Sequence, residues 1–476
     1  VEDIAKVITV DKKDGHKLKI SHVIQETTNR QLDMYIFIPG ELGLNANIIS
    51  EEEFYHSAIQ GKRTYFSDVN HLPLVHSRLA SRGKLSIEQY RLSLSLYAYQ
   101  YALALEKTTQ DLLNQNGDLS FEDIEESANI SVRILKRLRR NIPSDKKLLK
   151  YYENIDNYLS WFTEQRFLQL VAHLPRGNDY NAIKAMLLEI CESESQHRIK
   201  HNYNSAKAME DPTRMSNKMR LLRRLIEYPV TMSEKTIELG KSTRKIVTGA
   251  AAGIVMIFVT LMLIKARGML GDITASFILV LSLIYAAREV FKDDLKSMLW
   301  RWLRKGKARW RKQFFDANTS HLIGRQLEWL EYISYDSLPP DIRKTRKHKV
   351  SHREETILHY KSTTRMSPTK FLSGYEQTRE SIILDLRNVA ALMEKGSQRL
   401  YQLNDGQVTK ESVEKRHLIN LITKETDEDK TVRIQRWKII MSRSKIVDIE
   451  PILPQEKKSS SSKKVIVDTP PPAKTA

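Results

Sequence analysis

Gly240-Lys241-Ser242-Thr243 has the residue types that close a phosphate-binding loop, in which glycine lets the backbone approach a phosphate and lysine neutralises it. The complete pattern needs another glycine five residues earlier. That position is Lys235, and the residues after Thr243 become apolar instead of forming a soluble helix, so no nucleotide site is expected. Glu194, His197 and His201 stand three and four residues apart, which puts a carboxylate and two imidazoles on one helix face, a candidate metal-ligand set. Glu53 with His56, and Glu414 with His417, repeat the three-residue spacing, and His71 and His76 bracket "HLPLVH". Such spacings arise readily by chance, and a solvated polar helix face is the alternative reading. Cys191 is the single cysteine; it lies among apolar helix positions in "AMLLEIC" and is expected to be buried and not nucleophilic. No residue is assigned a catalytic role, and no motif asks for a cofactor.

Two local resemblances accompany these clusters. Glu194-Ser195-Gln196-His197 resembles the E-x-x-H of di-iron helical bundles. Ser120 to Asn141, "SFEDIEESANISVRILKRLRRN", resembles a DNA-binding helix-turn-helix. Ile124, Ala128, Ile130, Leu135 and Leu138 occupy its apolar positions, and Asn129 stands where the turn glycine is usual. Glu125 departs from the pattern, because a small residue there normally lets the helices meet. The resemblance implies a recognition helix whose nucleic-acid-binding residues are Arg133, Lys136, Arg137, Arg139 and Arg140.

The elements that must position any such site are dominated by an apolar centre. Ile246 to Ile264 is 19 residues without a charge, a helix of roughly 28 Å, close to a bilayer's hydrocarbon thickness. Ile273 to Ala287 is a shorter uncharged run, and extension to Met269 brings in Asp272. The link "KARGMLGD" is short, so two spans joined by it run antiparallel and leave both large flanks on one side. Lys241, Arg244 and Lys245 before the first span, with ten Lys and Arg from Arg288 to Lys312, orient both flanks to the cytoplasm. Gly249 and Gly253 form a G-x-x-x-G pair that admits close helix packing, against Ser282 and Ala286 or against another copy of the helix. From Phe291 to Phe315, apolar residues recur at helical spacing among basic ones, which reads as an interfacial amphipathic helix. Its lipid-facing set is Trp300, Trp302, Arg304, Lys305, Lys307, Arg309, Trp310, Arg311 and Lys312.

The expected fold is thus a membrane protein, mainly α with α+β cytoplasmic parts, built around a two-helix transmembrane hairpin. Its segments are a small β-rich piece (1–40), a helical cytoplasmic domain (41–240) and the hairpin (246–287, as 246–264 and about 269–287). The basic interfacial helix (288–316), an α+β cytoplasmic domain (317–452) and a disordered Ser-, Lys- and Pro-rich tail (453–476) complete it. "VEDIAKVITVDKKDGHK" lacks the apolar core of a signal peptide. The net charge is +19, and from Arg288 onward 39 Lys and Arg face 25 Asp and Glu, so +14 of it lies there. The expected function is a membrane-anchored scaffold, sensor or assembly subunit at the inner (plasma) membrane, with anionic lipid and protein partners and self-association through the glycine pair. A membrane-tethered nucleic-acid regulator using residues 120–141 and an enzyme without a local signature are the alternatives.

Overall fold

A computed structural model describes residues 8–24, 29–66, 86–114, 121–175, 180–270, 275–304, 306–317, 319–346, 355–367, 377–394, 397–404, 407–428 and 430–452. The chain begins with β1 (Thr9–Asp14), β2 (Lys17–Ile24), β3 (Asn29–Pro39), α1 (Glu51–Ala58) and β4 (Ile59–Phe66). A run of helices follows: α2 (Ile87–Asn114), α3 (Phe121–Arg140), α4 (Lys146–His173), α5 (Asn181–Lys200), α6 (Ala206–Glu210) and α7 (Pro212–Glu227). Strand β5 (Ser233–Glu238) leads into two 30-residue helices, α8 (Lys241–Leu270) and α9 (Ala275–Arg304), and β6 (Trp310–Phe315) returns beside β5. The remainder is β7 (Leu322–Ile333), α10 (Pro340–Arg346), β8 (Glu355–Met366), β9 (Gln377–Asp385), α11 (Arg387–Ala391), β10 (Ser397–Asn404), β11 (Gln407–Glu414), β12 (His417–Thr426), β13 (Val432–Met441) and β14 (Ile446–Ile452).

Among the described residues all strand pairs are antiparallel. An eight-stranded sheet runs β14-β13-β12-β3-β8-β7-β6-β5, a four-stranded sheet runs β1-β2-β9-β4, and β10-β11 is a separate ladder. The two larger sheets face each other across a shared core. Leu18, Ile20, Ile382 and Leu384 of the smaller sheet meet Met34, Ile36, Leu358, Tyr360, Leu421 and Ile439 of the larger. Period-two alternation places these residues inward. Strand β3 is buried on both faces: Met34 and Ile36 look into the sandwich, while Tyr35 and Phe37 look toward Ile342 of α10. That is why "LDMYIFIP" is almost continuously apolar.

The helices α2 to α5 and α7 form a bundle with its own core. Ser86 and Gln89 open α2 with a reciprocal capping box, Gln89 N–H donating to Ser86 Oγ at 3.2 Å and Ser86 N–H to Gln89 Oε1 at 3.1 Å. A small cluster of Tyr65, Leu96, Val230, Phe314 and Met366 joins the bundle to the sandwich.

Several sequence expectations are corrected. The chain is a mixed α+β fold with large antiparallel sheets, not a mainly helical protein arranged around two membrane spans. Among the described residues one helix, α8, is long and apolar enough to cross a membrane. Helix α9 is not: after 13 uncharged residues, Ala275 to Ala287, it takes in Arg288, Glu289, Lys292, Asp293, Asp294 and Lys296. The amino-terminal strands are not a separate small sheet, because β2 pairs with β9 and β3 with β8 and β12. Residues 322–333 are strand β7, in which buried Gln326, Glu328 and Leu330 alternate with half-buried Leu327 and Trp329. The expected interfacial helix over 288–316 ends at Arg304; Gly306, at φ 74°, turns the chain into β6. The expected tail, 453–476, lies outside the described residues.

Gly324 in β7 has no room for a side chain: a Cβ there would sit 2.3 Å from Met366 Sδ and 3.2 Å from Arg365 O. Gly324→Ala is expected to destabilise the sandwich by about 1–3 kcal/mol. A denaturant titration followed by fluorescence checks this, since Trp310 and Trp437 are buried in that core.

Candidate functional site

The most distinctive surface is an arm made by α8 and α9. It leaves and re-enters the body at neighbouring strands, the edge strand β5 and its inner neighbour β6, which pair from Ser233↔Phe315 to Glu238↔Trp310. Both feet turn through glycines in the left-handed region, Gly240 at φ 92° and Gly306 at φ 74°. This explains Gly240-Lys241-Ser242-Thr243. The glycine makes the corner from β5 into α8, Gly240 O accepts from Arg244 N–H at 2.8 Å, and Lys241 pairs with Glu238 at 3.0 Å.

The two helices pack on each other, and among the described residues no other element packs extensively against either. Their seam on α8 is Val247, Ala251, Val255 and Val259, all buried at four-residue spacing. The rest of the helix is open. Ile246, Ile257, Leu261 and Ile264 are each at least 60% exposed, as are Leu279 and Leu283 on α9. Across the most apolar eighteen residues of α8 the mean hydropathy is 2.4, yet only 22% of them are buried. A core helix of a soluble body buries such a surface; this one does not.

Gly249 and Gly253 are exposed and face away from the seam, and a Cβ on either meets nothing within 4 Å. Ser282 and Ala286 are exposed as well, so the two pairs do not meet within the chain. The foot of the arm is aromatic and basic. The Arg244 guanidinium lies 5.9 Å from the Trp300 ring, Trp302 is 74% exposed, and Lys307 is exposed. Arg304 closes α9, and Lys305 lies outside the described residues.

The remaining residues of the expected lipid-facing set are corrected, because residues 310–315 form a strand that alternates buried and half-buried. Trp310 is buried and stacks on Tyr55 at 3.7 Å between ring centroids. Lys312 is buried 3.2 Å from Glu328, Arg311 is half-buried, and Arg309 pairs with Glu51 at 2.7 Å.

Lys312 belongs to a buried polar network between the sheets that sequence reading missed. Glu380 takes Arg63 at 3.0 Å, His22 at 3.2 Å and Gln326 at 2.8 Å. Glu328 accepts from Tyr360 at 2.7 Å and from Tyr55. Burial alone would raise the Glu380 pKa; the Arg63 charge and His22 outweigh it and hold the carboxyl well below the ordinary range. Glu234, beside this group, is shifted upward by burial against the pull of Lys312.

The metal candidates are committed elsewhere. Both Glu194 oxygens are held by the Arg139 guanidinium, at 2.9 and 2.6 Å. His197 Nε2 lies 2.8 Å from Asp156 Oδ2, and its ring centroid is 4.4 Å from that of His201. Among the described residues no three His, Cys, Asp or Glu side chains gather as a metal site. His71 and His76 lie outside the described residues. Cys191 is buried, and burial pushes its thiol up to about 11.

The helix-turn-helix resemblance is corrected too. Residues 121–140 are one continuous helix, α3, and Asn129 is an exposed mid-helix residue. Ile124, Ala128, Ser131, Ile134, Leu135 and Leu138 keep one buried face unbroken, so no turn can form without exposing it. Arg139 points inward to Asp156 and Glu194, while Arg133, Lys136, Arg137 and Arg140 line a shallow hollow of about 360 Å³.

Fold and arm together define a mixed α+β protein in which a strand sandwich and a helical bundle carry an uncovered apolar helical arm. No protein-family model, curated protein or solved structure matches the chain.

Because a side chain at either arm glycine meets nothing among the described residues, Gly249→Ile with Gly253→Ile should leave folding unchanged. An altered oligomer size in detergent, read by light scattering, marks a contact between chains through this face; an unchanged size removes it. Asp156 makes a second prediction. Burial pushes its carboxyl up, but the hydrogen bond from His197, the Arg139 charge and the Tyr203 hydroxyl outweigh burial and lower its pKa. Its contribution is therefore complete above the unfolded pKa of about 3.9 and is lost as pH falls through the lower folded value. Asp156→Asn should cost about 1–3 kcal/mol at neutral pH and flatten the acid limb of stability, measured by denaturation between pH 3 and 7.

Proposed function

We propose that this chain is a membrane-anchored scaffold, sensor or assembly subunit, held at a bilayer by its arm and working through protein contacts of its folded body. The carrying observation is α8: a helix of this length and hydropathy whose apolar side chains are left uncovered by the other described residues. Such a surface is stable only when an apolar phase or another protein covers it. The foot of the arm favours lipid, since indole rings beside cations suit the head-group layer. Helix α8 supplies the apolar length; α9 packs along it and is uncharged only as far as Ala287.

The pairing of β5 with β6 holds both feet of the arm side by side, which supports a reading with the sandwich and the bundle on one side of that layer. Lys241, Arg244, Lys245 and Lys307 at the foot favour the cytoplasmic face of a plasma membrane by the positive-inside rule. Protein contacts are supported by the separate β10-β11 ladder, which exposes Tyr401 and Val408 at 64% and 70%. An isolated two-stranded ladder is marginal alone and gains from docking.

Carbonate extraction of the expressed full chain tests the anchoring. The protein should stay with the membranes. Ile257→Glu with Leu261→Glu, two exposed positions one turn apart on α8, should release most of it to the soluble fraction. Each buried charge costs about 2.5–3.5 kcal/mol at mid-bilayer. A wild-type chain that is wholly carbonate-soluble overturns the reading.

A further inference from the structure

A cleft of about 430 Å³ opens between α4 and α7 in the helical bundle, and no residue of the arm lines it. Its size falls within the roughly 300–1,000 Å³ of small-molecule sites. The α4 wall is aromatic, because Tyr158, Trp161 and Phe162 recur at three- and four-residue spacing and share one helix face. Tyr158 and Phe162 are buried and stacked, with ring centroids 5.6 Å apart, and half-buried Trp161 lies 6.4 Å from Tyr158. The Arg166 guanidinium covers Phe162 at 4.9 Å, which leaves Trp161 as the ring open to a ligand. The α7 wall brings Ser216, Met219, Arg220 and Arg223 to the cleft by the same spacing.

Two of the three arginines are already engaged. Glu106 of α2 holds Arg166 at 2.6 Å and Arg223 at 3.7 Å, one from each wall, and Glu227 takes Arg223 at 2.8 Å. Arg220 is exposed and makes no hydrogen bond or ion pair among the described residues. Since Glu106 and Glu227 balance Arg166 and Arg223, Arg220 leaves the cleft cationic. A second group also lacks a partner. Tyr158 lines the cleft and is only 2% exposed, and its hydroxyl, not sealed in the core, makes no hydrogen bond among the described residues.

An aromatic wall facing one open guanidinium asks for a ligand with a planar ring and a single negative charge. The guanidinium fork fits a carboxylate with two parallel hydrogen bonds. A phosphate monoester carries a charge of about −1.5 to −2 at neutral pH and would ask for a second open cation. We propose that the cleft binds a small aromatic carboxylate, with its ring on the Trp161 wall and its carboxylate on Arg220. The Tyr158 hydroxyl is a further donor for the same ligand. The cleft lies outside the arm, so its assignment does not rest on the membrane reading.

Calorimetric titration of the full chain in detergent tests this, with naphthoate as the probe, naphthamide as its neutral counterpart and protein-free micelles as the blank. The wild type should bind one naphthoate per chain, about tenfold more tightly than the amide, the ratio that a charge-assisted hydrogen bond supplies. Arg220 has no pair to lose, so Arg220→Gln should leave the fold intact and remove that difference, and Arg220→Lys should keep part of it. Cyclohexanecarboxylate, which has the charge without the planar ring, should bind the wild type more weakly than naphthoate. No saturable binding above the micelle blank overturns the proposal. So does equal affinity of the wild type for naphthoate and naphthamide, or equal affinity of the wild type and Arg220→Gln for naphthoate.

Discussion

The pairing of β5 with β6 is the constraint on which the rest of the architecture depends. Six residues on each side, Ser233 to Glu238 and Trp310 to Phe315, close the edge of the eight-stranded sheet. The same ladder brings together two chain positions separated by both arm helices. With the feet held side by side, α8 and α9 must run back along each other, and the seam of Val247, Ala251, Val255 and Val259 follows. The inward face of β6 drives Trp310, Lys312 and Phe314 into the body, so the arm cannot move at its root without disturbing the core. The outer edge is also protected. Strand β5, "SEKTIE", carries Glu234, Lys235 and Glu238, and the opposite edge strand, β14, carries Asp448, Glu450 and Pro451. Charged and proline-bearing edges resist strand addition by other chains, which leaves partner contacts to other surfaces.

Inside the sandwich the constraint takes an electrostatic form. Arg63, Glu380, His22, Lys312 and Glu328 are all buried where two sheets meet. Removing such charges from water is costly, and pairing them offsets the cost only when geometry is good. The ion pairs lie within each sheet, Arg63 on β4 and His22 on β2 flanking Glu380 on β9, and Lys312 on β6 meeting Glu328 on β7; the Gln326 amide of β7 donates across to Glu380 and links the two groups. A slip of either sheet by one residue would strand a charge in an apolar core. The network therefore ties the register of the small sheet to that of the large one, and so to the strands that carry the arm.

Much of this was legible in the sequence, and what was not has physical reasons. The apolar run of α8, the capping box at Ser86 and Gln89, and the burial of Cys191 can all be read from local pattern, because hydropathy, helix spacing and capping act over a few residues. Strand pairing acts over hundreds. Nothing in "KLKISHVI" says that it pairs with "QTRESIILD" some 360 residues later. Basic residues after α9 read as a lipid-facing helix because their composition suits one. Only the alternation of Trp310, Lys312 and Phe314 against Arg311, Gln313 and Phe315 marks a strand. The same parity could have found the buried network. Glu380 shares it with Ile382 and Leu384, and Glu328 shares it with Gln326 and Leu330. The helix-turn-helix resemblance failed in the opposite way. A basic amphipathic helix satisfies that pattern's apolar positions whether or not it turns at Asn129.

The composition of the arm follows from what each level must satisfy. Near the seam the side chains must be small enough for two helices to touch. Around it they are apolar, and among the described residues no element of the body covers them. At the foot, aromatic and basic groups must meet both water and whatever covers the arm. A helix that only braced the body would need the first condition and not the second, since exposed isoleucines and leucines add nothing to bracing and favour aggregation. Helix α8 meets both from Ile246 to Ile264. Helix α9 meets both only as far as Ala287 and then turns charged toward the foot. The boundary between these halves falls at Arg288, in the wall of the groove between α8 and α9, where the apolar surface of the arm gives way to groups that require water or a counterion.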